Sequence, residues 1–130
     1  MTIKTLVLSN GNLEAKDIDN TLESLQNIVG GYIEIPFLSE TFYEYDIDMI
    51  INEEGKLIDG MNPEIVVLKK GTENILDIVY GNILFASHDN EGETVGLDEE
   101  QITIIERTLE TEVILYDGKG KSYPVRVLYI

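Results

Sequence analysis

The sequence predicts an α+β fold: a mixed, mainly antiparallel sheet of about five to seven strands, two main helices and a C-terminal β-hairpin. Three observations carry this prediction. Short β-branched runs recur, separated by turns rich in Asn, Asp and Gly. Two segments combine a cap signature with apolar residues at helical spacing. The order of strand-like and helix-like segments is mixed, unlike the regular alternation of a doubly wound parallel sheet. At 130 residues, 43% hydrophobic and 26% charged, residues 1–130 are expected to form one domain with an ordinary core.

The elements follow in order. Ile3 to Leu8 is a strand, Ser9-Asn10-Gly11-Asn12 a turn, and Leu13 to Ile18 the returning strand of a hairpin. Asn20 is placed to cap a helix, with Glu23 three residues on. Leu22, Leu25, Ile28 and Val29 share one face of that helix, and Gly30-Gly31 ends it. Tyr32 to Leu38 reads as a short edge strand because it contains Pro36.

From Glu40 to Asn52 the sequence alternates. Thr41, Tyr43, Tyr45, Ile47, Met49 and Ile51 share one parity; Glu40, Phe42, Glu44, Asp46, Asp48, Ile50 and Asn52 share the other. As a strand this gives one apolar face and one largely acidic face. Glu53-Glu54-Gly55 turns it into a return through Lys56-Leu57-Ile58.

Asn62-Pro63-Glu64 reads as a cap with proline at the first helical position, although the Ile-Val-Val-Leu that follows disfavours a long helix. Ile75 to Ser87 is expected to be one strand with a bulge at Gly81, and His88 to Gly96 a polar loop. Asp98 and Gln101 form a second cap signature, flanked by Leu97 and Ile102 as a hydrophobic staple. Val113 to Tyr116, the turn Asp117-Gly118-Lys119-Gly120 and Tyr123 to Ile130 make the final hairpin.

Charge narrows the function classes. The formal net charge is −16, from 25 acids and 9 bases. Such a chain is repelled by a phosphate backbone and by an anionic membrane surface, so the expected partner is basic. The acid lies in two blocks, residues 17–64 and 71–112, while residues 113–130 carry Lys119, Lys121 and Arg126 against Asp117 alone. With no cysteine, disulfides, thiolate metal sites and cysteine nucleophiles are excluded. There is neither a long apolar run nor a signal-peptide pattern, and the expected location is the cytoplasm.

No constellation points to an enzyme. His88 is the single histidine, and no serine sits in a Gly-x-Ser-x-Gly elbow. The loop from Asp89 resembles a calcium loop but has Thr94 where the sharp turn needs glycine. Phosphate-binding glycine motifs are absent, and Gly118-Lys119-Gly120-Lys121 reads as a hairpin turn. No catalytic residue, cofactor or metal is assigned. The most specific feature is the acidic parity of 40–52. Glu44, Asp46 and Asp48 on one strand face would stand about 7 Å apart and imitate a nucleic-acid backbone. The competing reading is an edge strand protected from aggregation by charge.

The run Leu22-Glu23-Ser24-Leu25-Gln26-Asn27-Ile28-Val29-Gly30-Gly31-Tyr32-Ile33-Glu34, followed by Asn52-Glu53-Glu54-Gly55-Lys56-Leu57, resembles a small phage and bacterial family labelled domain of unknown function 3846. Asn62, Asp77-Ile78-Val79-Tyr80-Gly81 and Leu97-Asp98-Glu99-Glu100-Gln101 fit the same order. The resemblance implies a family-like core over 1–111, with the hairpin 112–130 as an addition. It also implies an accessory protein of mobile elements in a bacterial host cytoplasm.

Two hypotheses of different class follow. In the first, the chain is a non-enzymatic counter-defence inhibitor of a basic, nucleic-acid-handling host protein. It binds through Glu40, Glu44, Asp46, Asp48, Glu53 and Glu54. In the second, the chain sequesters a nucleotide-derived immune signal as an oligomer. That ligand would be held by Asn52, Lys56, Asn62, Lys69, Lys70, Asp77 and Arg126.

Overall fold

The first hairpin forms as the Asn10-Gly11 pair requires. In a computed structural model covering residues 1–130, both residues take positive φ, 53° and 79°. This is the backbone of a tight turn that matches strand twist. The turn joins β1 (Thr2–Ser9) to β2 (Asn12–Asp19), which pair antiparallel throughout. Helix α1 (Leu22–Val29) follows. Its N-cap is Thr21 rather than Asn20: the Ser24 backbone N donates to Thr21 Oγ1 at 3.1 Å. Asn20 instead donates its side-chain amide to the Thr94 carbonyl at 2.9 Å. Gly30 ends the helix at φ 85°, as expected.

The predicted strand 32–38 shrinks to β3 (Ile33–Glu34). The predicted strand 40–52 divides into helix α2 (Glu40–Glu44) and strand β4 (Ile47–Asn52). Ser39 caps α2 by accepting from the Phe42 N–H at 3.2 Å, and Asp46, at φ 55°, breaks the chain between helix and strand. Residues Gly55–Leu57 make a single 3₁₀ turn, not a returning strand. Pro63 opens β5 (Pro63–Leu68) rather than a helix, because its β-branched run is buried inside a sheet.

The expected strand 75–87 is two strands in two sheets, β6 (Ile75–Tyr80) and β7 (Ile83–His88). Gly81 turns the chain between them at φ 86° and donates its N–H to the Asn62 carbonyl at 2.9 Å. That positive φ is why the position needs glycine; the nearest atom to a Cβ there would be Sδ of the flexible Met61 side chain, which can move aside. His88 closes β7 rather than sitting in a loop, and part of the expected loop forms β8 (Thr94–Val95). Helix α3 (Glu99–Thr108) carries the predicted capping box of Asp98 and Gln101. The last hairpin, β9 (Glu112–Tyr116) and β10 (Ser122–Tyr129), forms as expected.

The α+β class holds, with the strands divided between two sheets. The first has six strands ordered β2-β1-β7-β4-β3, with β8 also on β7. The second has four, ordered β6-β5-β10-β9, and its β10–β5 pair is the one parallel pairing. The period of two in each strand sorts side chains to opposite faces. From the first sheet, Leu6, Leu8, Ile47, Met49, Ile83 and Phe85 face a core shared with Ile65, Val67 and Leu128 of the second sheet and with Ile105 and Leu109. The opposite face offers Ile3, Ile50, Leu84 and Ala86 to Leu25 and Val29 of α1. No helix is long and apolar enough to cross a membrane.

Candidate functional site

Helix α2 is anchored from below. Phe42 is buried and stacks edge-on against Phe85, with ring centroids 5.8 Å apart. Gln101 donates from its amide to the Tyr45 carbonyl at 2.8 Å and to Ser87 Oγ at 2.9 Å, while Ser87 Oγ donates to the Asp46 carbonyl at 2.7 Å. The turn after α2 is therefore fixed to both α3 and β7. Next to it, His88 lies between two carboxylates. Its Nδ1 is 3.1 Å from both oxygens of Asp48, and its Nε2 is 3.4 Å from Asp46 Oδ1.

Above this base is an apolar-walled cleft of about 230 Å³ lined by Ile35, Phe37, Tyr43, Met49, Asp48 and His88, among others. Phe37 and Tyr43 meet edge to face at its rim, 5.3 Å between centroids. Both are largely in water, at 65% and 70% exposed, and Tyr32 is 72% exposed nearby in sequence. Glu34, Glu40, Glu44 and Asp46 are exposed on the same segment, and no basic residue occurs between Lys16 and Lys56. Two large aromatic side chains thus stand exposed side by side, flanked by charge of one sign.

The alternating acidic face does not exist as predicted. Glu40 and Glu44 lie on α2, Asp46 in the turn and Asp48 on β4, where it is engaged by His88. Glu53 and Glu54 follow the far end of β4, about 17 Å from Asp48 at strand rise. The six acids thus form two groups at opposite ends of one strand. The part played by His88 was not legible, because its pairing with Asp48 depends on β4 lying beside β7.

The residues of the ligand hypothesis do not converge. Asn52, Lys56 and Asp77 line one cleft of about 310 Å³ together with Glu53 and Glu54, and Lys56 is ion-paired to Asp77. Asn62 faces elsewhere and donates to Asn10 Oδ1 at 3.2 Å. Lys69 and Lys70 begin the exposed turn after β5. Arg126 is committed to the Gly11 carbonyl at 2.9 Å, the Leu109 carbonyl at 2.8 Å and Glu112 at 2.8 Å. Asn52 is itself buried, donating to the Val29 carbonyl at 3.1 Å and accepting from the Glu54 N–H at 2.7 Å. Asn52→Ala is expected to cost about 2 kcal/mol of stability, from the lost partner of a buried carbonyl, and a denaturant melt reads this.

Glu64 was overlooked by sequence reasoning. It is 1% exposed and accepts from the Asn10 N–H at 2.9 Å and the Gly11 N–H at 3.1 Å. Burial pushes its carboxyl above the usual range, against the pull of those two N–H groups. Asp117 shows the opposite: the Lys119 backbone N–H, first among several donors, holds its exposed carboxyl low and organises the last hairpin turn.

Residues 3–110 match the model of a family described as Domain of unknown function (DUF3846). The chain belongs to this family. No curated protein and no solved structure matches it significantly. In DUF3846 terms, the first quoted motif is α1 with its glycine cap and β3, and the second is the β4 end with the 3₁₀ turn. Gly55 of that motif is required by packing, because a Cβ there would lie 2.6 Å from the Tyr80 carbonyl oxygen.

Proposed function

We propose that this DUF3846 chain is a non-enzymatic binding protein that inhibits a basic, nucleic-acid-handling host protein, in keeping with a mobile-element counter-defence role. The observation that carries the reading is the α2 surface, where Phe37 and Tyr43 flank a cleft beside Asp46 and Asp48, with Glu40 and Glu44 on the helix above. The aromatic pair supplies the buried anchor that dominates affinity. The acids supply attraction at a distance and reject acidic competitors. A partner lysine or arginine entering the cleft meets aromatic faces and carboxylates together, both of which favour a cation. The cation-poor cleft around the Lys56–Asp77 pair supplies less for a nucleotide, so sequestration of a signal molecule is the weaker alternative.

The test is capture of basic proteins from a phage-sensitive bacterial lysate on the immobilised chain, compared across variants of retained fold. Phe37→Ser with Tyr43→Ser is expected to weaken the captured complex at least a hundredfold. Neutralising Glu40, Glu44 and Asp46 together is expected to slow association roughly tenfold at low salt and much less at high salt. Equal capture by the aromatic double variant and the unmodified chain would overturn the proposal.

A further inference from the structure

We infer that strand β9 is a self-pairing edge through which two copies of this chain join their four-stranded sheets about a two-fold axis at Ile114. Exposed edge strands in native proteins are normally blunted, and here the others are. Strand β2 carries Glu14, Lys16, Asp17 and Asp19. Strand β3 is two residues long. Strand β6 leaves Ile75 and Leu76 exposed, but it carries a charge at Asp77 and is met by the 3₁₀ turn beyond them, with Gly55 against the Tyr80 carbonyl and Lys56 on Asp77. Strand β9 pairs only with β10, and its Val113-Ile114-Leu115-Tyr116 run contains no charge, proline or glycine. Val113 is 40% exposed, Ile114 51% and Tyr116 74%.

Charge selects a second copy as the occupant. An acidic chain repels itself almost everywhere, but residues 113–130 carry three bases against Asp117, so this is where two copies approach with least repulsion. The strand is also polar along its length: Glu110 and Glu112 stand at its start, and Lys119 and Lys121 follow its end. Antiparallel pairing centred on Ile114 places Val113 opposite Leu115 and Glu112 opposite Tyr116. The acidic end of each strand then lies beside the basic turn of the other. A two-fold contact of this kind closes at two copies, without an open fibre.

The absence of cysteine makes the two-fold position directly readable. At that position the two copies of one residue face each other at a separation a disulfide spans. Under mild oxidation Ile114→Cys is expected to form covalent dimers at least tenfold faster than Thr103→Cys, an exposed control on α3. By sedimentation the unmodified chain is expected to dimerise by about 100 μM, while Ile114→Lys stays monomeric with an unchanged near-ultraviolet circular dichroism spectrum. Cross-linking at the control rate, a monomer throughout, or species larger than a dimer would each overturn the inference.

Discussion

A chain ending at Thr111 is expected to lose cooperative unfolding altogether. The deleted residues lie outside the family match, which ends at residue 110. Read along the sequence they are an appendage, but in the fold β10 lies between β5 and β9. Its removal takes Val125, Val127 and Leu128 out of the interior, all at most 2% exposed. At roughly 2 kcal/mol for each buried aliphatic side chain, that alone costs about 6 kcal/mol. A whole domain is typically stable by about 5–15 kcal/mol. The deletion also leaves β5 unpaired on one side over Ile65 to Leu68 and removes the Arg126 bonds to Gly11 and Leu109. Thermal melting followed by near-ultraviolet circular dichroism checks this. A sharp transition in the shortened chain would show that residues 1–111 hold a complete core.

Glu64→Ala is expected to cost about 3 kcal/mol, lowering the melting temperature by about 10 °C, because it strands the Asn10 and Gly11 N–H groups inside the protein. Glu64→Gln removes the titration, and its single amide oxygen can accept from only one of the two N–H groups. The Glu64 carboxyl has a raised pKa in the folded state. Its contribution is therefore fully present below the ordinary glutamate range and is lost as pH rises through the elevated folded value. Above about pH 4 the unfolded chain releases this proton first, so the folded state loses ground. Stability of the unmodified chain should accordingly fall more steeply from about pH 4 towards neutrality than that of Glu64→Gln. Parallel curves from denaturant melts across that range would contradict the assignment.

What was legible in the sequence was local. Asn10-Gly11 specifies its own turn, Asp98 and Gln101 cap α3 within one helical turn, and Asp117 organises the last hairpin through the two N–H groups that follow it. The misreadings occurred where local pattern and tertiary need diverge. In a five-residue helix, periods of two and 3.6 cannot be told apart, so the alternation of 40–52 concealed α2. The cue for it was Ser39, an N-cap residue type before Glu40. The Asn62-Pro63 pair imitates a helix start, but the buried β-branched run after it belongs between β6 and β10. The acid at 40–54 was visible as composition. Its division between the two ends of β4, and the seat of His88 between Asp46 and Asp48, follow from strand neighbours far apart in sequence.

The parallel pairing of β5 with β10 also bears on how the protein is made. Residue 65 is registered with residue 126, so a central strand of the second sheet waits for a partner made much later along the chain. Until residues 126–129 are available, Ile65, Val66 and Val67 have no partner on that side. The first sheet, closed by β1, β4 and β7, can assemble beforehand, but the second cannot. Such pairing across long sequence separation is slow to form. The second sheet therefore completes after the first, and until it does the buried β-branched segment of β5 is exposed to chaperones and to other nascent copies.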